Sequence, residues 1–197
     1  ADVTFANLES PLSDQGTKLP GKGIWFRGNP QNVETLVMAG VDLVTLANNH
    51  MMDYDEQALL QTIEVLDEAN IANIGAGADI TSATAPYMQE INGVKIAWLA
   101  YSEMADLYFS VSYPRRLQAS ADEPGISPYV ENAVIEDIEA VRDQADVVIL
   151  TLHWGVEYNY TPEAYQQMAA KKYIDAGADI ILGHHPHCIQ GVETYHG

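Results

Sequence analysis

A chain of 197 residues with 47% hydrophobic and 19% charged residues has the balance of one globular domain with a sizeable core, not of a disordered acidic tail. Its 9 Lys+Arg against 28 Asp+Glu give a net charge of -19, spread along the chain, which excludes a basic groove for nucleic acid or a face for anionic lipid. The single cysteine, Cys188, excludes an internal disulfide framework and any Cys-rich zinc or iron–sulfur site.

Along the chain, apolar runs of strand length alternate with stretches of helical period. Residues 3–8 read as the first strand. Residues 13–27, rich in Gly and Lys, fit no element and are long for a plain connection, which marks them as a candidate substrate-facing loop. Asn29-Pro30, a cap followed by a first-turn proline, opens the first predicted helix, with Val33, Leu36 and Val37 on one face. Beyond the helix-ending Gly40 comes a strand at 43–47. A second helix after Asp55 repeats Leu59, Ile63 and Leu66, and strands at 72–74 and 94–101 follow. Residues 105–128, holding Tyr108, Phe109, Tyr113 and Arg115-Arg116, form the second candidate loop. The third helix, over 131–144, repeats Val134, Ile138 and Val141, and leads into a strand at 147–153. The fourth starts at Thr161-Pro162-Glu163, is expected to turn Tyr165, Met168 and Ala169 inward, and ends at Gly177 before a strand at 179–182. This alternation predicts an α/β fold with a largely parallel sheet.

The chain opens at Ala1-Asp2-Val3-Thr4-Phe5, inside a predicted strand, and stops at Tyr195-His196-Gly197 without a terminating element. The expectation is a single domain over residues 1–197 that is a fragment, incomplete at both termini. No run of about 18 apolar residues is present, and no signal peptide opens the chain.

Four predicted strands end in metal-competent residues. The first runs into Glu9, the second into Asn48-Asn49-His50 with Asp53 close behind. The strand at 147–153 ends in His153-Trp154-Gly155-Val156-Glu157, and the last runs into His184-His185-Pro186-His187. In a parallel sheet the carboxyl ends share one edge, where ligands bind. Of the 6 histidines only His196 lies elsewhere. Imidazole, carboxylate and amide donors without thiolate suit Mn²⁺, Fe or Zn²⁺, and more donors than one tetrahedral shell needs point to two divalent ions. A bound cation would also supply the positive charge that an anionic substrate requires and that this chain otherwise lacks.

These runs, together with Asn7-Leu8-Glu9-Ser10-Pro11 and Asp175-Ala176-Gly177-Ala178-Asp179, resemble the bacterial capsule-synthesis CapA family of poly-γ-glutamate synthesis, within the calcineurin-like metallophosphoesterases. The resemblance covers essentially the whole chain and implies an αββα sandwich with two mixed sheets between helices. It implies Glu9, Asn49, His153, His185 and His187 as metal ligands and His50 as the residue assisting the leaving group. Asp53 is expected to fix the His50 ring through its N–H, or else to make a helix-start hydrogen bond. His184 falls outside the His-x-His spacing and is expected to orient a ligand. One departure stands out: the N-terminal Gly-Asp type strand that carries the superfamily's first ligands has no match here, so the site in this chain is expected to be incomplete.

The implied function is capsule or poly-γ-glutamate biosynthesis with a metal-dependent phosphoesterase-like hydrolase site. The alternatives are a non-catalytic polymer-binding or export component with a vestigial metal site, and a phosphatase unrelated to capsule. The implied partners are an anionic polymer or phosphoester substrate and membrane-bound capsule synthesis proteins. The implied location is extracytoplasmic, anchored to the membrane through a segment outside this chain. Arg27, Arg115 and Arg116 are candidates to meet an anion, with a plain surface role as the alternative.

Overall fold

Alternation along the buried strands decides the architecture, and a computed structural model describes it for residues 1–196. Strands β1 (Phe5–Asn7), β2 (Leu43–Thr45) and β3 (Ala72–Ile74) form one parallel sheet in that order. A second sheet has the order β5 (Tyr87–Ile91), β6 (Val94–Ser102), β8 (Val147–His153) and β9 (Ile180–His184). Its β6, β8 and β9 run parallel, and β5 runs antiparallel to β6. A short pair, β4 (Ala76–Gly77) with β7 (Gly125–Ile126), lies apart.

Successive strand side chains point to opposite faces, so each apolar strand serves two cores at once. Phe5, Leu43, Ala72 and Ile74 from the first sheet meet Ile96, Trp98, Ala100 and Ile149 from the second, with Phe5 and Trp98 stacked at 5.1 Å between ring centroids. Their neighbours Val44 and Leu46 face outward onto α1 (Val33–Met38) and α2 (Asp55–Glu68). On the far side, Leu99, Tyr101, Val148 and Leu150 face α4 (Glu131–Arg142) and α5 (Ala164–Ala176). The result is four layers, αββα, as the resemblance implies. The strands that periodicity alone assigns to one sheet divide between two. Each fully buried leucine, such as Leu59 or Leu66 of α2, contributes about 1.5–3 kcal/mol. The remaining helix, α3 (Ile80–Thr84), is opened by an Asp79–Ser82 capping box.

Two helix faces differ from expectation. In α5 the buried residues are Gln166, Ala169 and Tyr173, while Met168 is 61% exposed and Tyr165 is half-exposed. Gln166 is held by its cap, its Oε1 accepting from the Glu163 N–H at 2.8 Å. In α1, Val37 faces out while Val33 and Leu36 pack inward. No helix among the described residues is long and apolar enough to cross a membrane.

Gly75 sits where the two sheets close on each other beside the strand ends. Its φ is +83°, and a Cβ there would lie 2.6 Å from the Ala47 Cβ and 2.9 Å from the Ala100 Cβ. Gly75→Ala therefore combines a left-handed backbone, about 1–2 kcal/mol, with overpacking of about 1–3 kcal/mol. Urea unfolding should show the midpoint falling by the equivalent of roughly 2–5 kcal/mol; an unchanged midpoint would mean the sheets part here at no cost.

Candidate metal centre

The carboxyl ends of β1, β2, β8 and β9 meet at one edge of the sandwich. Asn48 ties the first two together: its Nδ2 donates to Asn7 Oδ1 (3.1 Å) and to the Leu8 carbonyl (2.9 Å), and its Oδ1 accepts from the His50 N–H (3.1 Å). Asn48 is fully buried and its donors are spent on the scaffold, so the adjacent asparagines divide their work. Asn49 turns its Oδ1 to His153 Nε2 at 2.8 Å. Asn7 in turn donates to Glu9 Oε2 at 2.9 Å, which leaves Glu9 Oε1 directed at the histidines: 3.6 Å from His153 Nε2 and 3.7 Å from His187 Nε2.

The second sheet supplies those histidines. His153 is the last residue of β8, and His185 and His187 come directly after β9. The His153 and His185 rings lie 4.8 Å apart, and His185 and His187 lie 6.1 Å apart. Donor atoms of Glu9, His153 and His185 all fall within 4.8 Å of one another, and so do those of Glu157, His185 and His187. The structure thus brings together Glu9, Asn49, His153, His185 and His187. It adds Glu157, which closes the His153-Trp154-Gly155-Val156-Glu157 run but has no role in the ligand set that the resemblance implies.

His153 is 1% exposed, and burial lowers its pKa to about 2, so the ring is neutral with a lone pair to offer. Burial also pushes His185 and His184 down and Glu9 up; for Glu9, the positive potential of His187 and His50 and the Asn7 hydrogen bond pull the other way. Glu9 Oε1, His153 Nδ1 and His185 Nδ1 are buried with no hydrogen-bond partner. Each such atom costs about 1–3 kcal/mol if nothing satisfies it, and native proteins hold few of them. A carboxylate, an amide oxygen and neutral imidazoles gathered with unused lone pairs fit a divalent cation. Cys188 borders the same cleft, but its Sγ donates to the Asn159 carbonyl at 3.3 Å.

His50 and Asp53 make a separate unit beside this group. His50 Nδ1 meets Asp53 Oδ2 at 2.7 Å, and Asp53, fully buried, also accepts from the Phe26 N–H at 2.6 Å and from Lys22 Nζ. The carboxylate places the ring proton on Nδ1 and leaves Nε2 free. The Phe26 ring packs on His50 at 4.2 Å. Lys22 Nζ additionally donates to the Asn49 carbonyl at 2.6 Å, so one buried ammonium steadies both units. Lys22 and Phe26 belong to the candidate loop at 13–27; the sequence does not single them out, because their partners lie about thirty positions away.

Other expectations fare differently. His184 packs its ring on Phe5 at 5.8 Å and its Nε2 is buried without a partner, so it orients no ligand through that atom. Arg27 is bound to the Ser13 carbonyl at 2.7 Å and stacked on Tyr54, Arg115 is paired with Glu56 at 2.5 Å, and Arg116 with Asp106 at 3.0 Å. All three are engaged with partners within the protein. The loop at 105–128 supports its neighbour: Phe109 lies under Lys22 Nζ at 5.2 Å, and its carbonyl abuts Gly21.

Comparison with known proteins bears on the family and the fold. The chain is 33% identical over 199 residues to the PGA biosynthesis protein CapA of Bacillus subtilis (strain 168), covering 100% of this chain and 50% of that protein. It is 31% identical over 202 residues to the capsule biosynthesis protein CapA of Bacillus anthracis, covering 99% and 47%. The chain thus spans about half the length of these relatives. A Staphylococcus aureus structure provisionally named a 5′-nucleotidase, in complex with alpha-ketoglutarate, matches 80% of this chain and 34% of its own with a TM-score of 0.52 at 14% identity. That likeness is one of fold. The family model for the bacterial capsule synthesis protein PGA_cap matches residues 1–197, and the chain belongs to that family.

Proposed function

We propose that this chain carries the metal site of a capsule or poly-γ-glutamate biosynthesis protein, and that the site is a phosphoesterase-like hydrolase centre. The observation that carries the reading is the split between Asn49 and His50. One neighbour turns its Oδ1 to His153; the other is held by Asp53 with its Nε2 free. A structural metal site has no need for the second unit, whereas a hydrolytic one does.

Glu9, Asn49, His153, His185 and His187 would hold two divalent ions of the Mn²⁺, Fe or Zn²⁺ class. Such ions, when bound, lower the pKa of water and neutralise charge on a phosphoryl group. The remaining work falls to the chain itself. Asp53 faces the His50 Nδ1–H and supports the imidazolium, whose Nε2–H passes its proton to the departing oxygen. Lys22 neutralises the buried Asp53 carboxylate, and Phe26 covers the His50 ring from water.

The names of the relatives support a role beside an anionic polymer, or a phosphoester precursor of one, in company with membrane-bound capsule synthesis proteins. In this proposal the site works outside the cytoplasm, anchored to the membrane by a part of the protein beyond these residues. With a net charge of -19 and its arginines engaged internally, the surface is ill suited to wrap a polyanion unaided, which favours the hydrolase over a polymer-binding role. Hydrolysis of p-nitrophenyl phosphate by the full-length protein with Mn²⁺, run beside a poly-γ-glutamate retention assay, tests this. Metal-dependent turnover is the expected result. Retention of the polymer with no turnover under Mn²⁺, Fe²⁺ or Zn²⁺ would replace the hydrolase with the non-catalytic component.

A further inference from the structure

Glu157 has no part in the proposal above, yet its carboxylate stands within 4.8 Å of donor atoms on both His185 and His187. His185 is the common member of two three-donor groups, and each group contains one carboxylate: Glu9 with His153 on one side, Glu157 with His187 on the other. The backbone that produces this is unusual. Tyr158 (φ 60°), His185 (φ 92°) and His187 (φ 52°) are non-glycine residues in left-handed conformations, and Gly155 has φ 90°. L residues adopt such angles at a cost and keep them where surrounding structure enforces them, commonly at functional sites.

The enforcing contacts are visible. The Tyr158 N–H donates to the Pro186 carbonyl at 2.7 Å and the Trp154 N–H to the His184 carbonyl at 3.2 Å, so the two loops are tied on either side of Glu157. Glu103 Oε2 accepts from the Gly155 N–H at 3.0 Å and fixes where the Glu157 loop begins. At the centre, His185 Nδ1 is buried without a partner. Charge points the same way. Neutral imidazoles and an amide leave Glu9 as the single negative donor of the assigned set, too little for a pair of divalent cations. We propose, resting on the metal-centre reading above, that Glu157 is a metal ligand which with His185 and His187 holds a second divalent cation beside the one held by Glu9, Asn49 and His153.

Titration of the full-length protein with Co²⁺ alone, read by calorimetry and by visible absorption, tests this in wild type, Glu157→Gln and Glu139→Gln. The last removes an exposed carboxylate on α4, a helix that carries none of the proposed ligands, and controls for general loss of negative charge. The wild type should bind two Co²⁺, and Glu157→Gln should retain one while the second weakens at least about 10-fold, with an altered spectrum. Glu139→Gln should match the wild type, and the metal-free melting temperature of Glu157→Gln should stay unchanged. Identical isotherms and spectra for wild type and Glu157→Gln would overturn this assignment and leave the metal centre standing, as would a wild type that binds a single ion. A wild type that takes up no Co²⁺ would overturn the metal-centre reading, and this one with it.

Discussion

Replacing His153 with alanine should weaken divalent-metal binding by more than about 100-fold, because losing even a residue that only orients a ligand costs about 10–100-fold. The size reflects position. His153 is buried, neutral and in contact with both Asn49 Oδ1 and Glu9 Oε1, so its removal takes away a donor and the spacer that holds two others apart. His187, which is far more exposed, should cost less when replaced. Calorimetric titration of the two variants with Mn²⁺ gives the comparison, and equal small losses would show that His153 is a packing residue.

Alanine at His50 should act on turnover and spare affinity. General acid assistance is typically worth about 10²–10⁴-fold, and kcat for p-nitrophenyl phosphate should fall by that factor while the affinity for Mn²⁺ changes little. The His50 ring is bound through Nδ1 to Asp53, and the residue that contacts His153 is Asn49. Parallel loss of metal and turnover would make His50 a ligand. Asp53→Asn should match His50→Ala in direction and carry a stability cost in addition, since it leaves the buried Lys22 ammonium unpaired; breaking such a pair costs about 3–5 kcal/mol.

Strand ends are the most legible feature of the sequence. The run at 147–153 is the whole of β8, and the polar residues just past each apolar run are the ones the strand delivers to the sheet edge. Alternation within those runs carries information about two faces, and an assignment to one sheet uses only part of it: Val148 and Ile149 belong to different cores. The antiparallel β5 is absent from the predicted strands, although Asn92-Gly93, with φ of 53° and 84°, is the two-residue turn that joins it to β6. On α5 the buried face differs from the predicted one. Hydropathy ranks Met168 above Gln166, but the capping bond to Glu163 fixes Gln166 inward and the helix turns with it.

The site divides in the same manner. Donors attached to strand ends can be read in order along the chain, because topology alone gathers them. Lys22 and Glu157 cannot, since each owes its place to a loop held by distant backbone contacts. Lys22 reaches across 31 positions to Asp53, and the Glu157 loop is fixed by hydrogen bonds to Pro186 and Glu103. Lys22 leaves no period or motif behind, and Glu157, although it closes the run that begins at His153, is not marked as a ligand by its spacing there.

The central claim is that the ends of two sheets build one cation site. Crystals of the full-length protein soaked in Zn²⁺ and measured at the zinc edge test it most directly. An anomalous peak should appear with Glu9, Asn49 and His153 donors at about 2.0–2.2 Å from the ion. Zinc peaks confined to other parts of the molecule, with the histidine cluster empty, would contradict it.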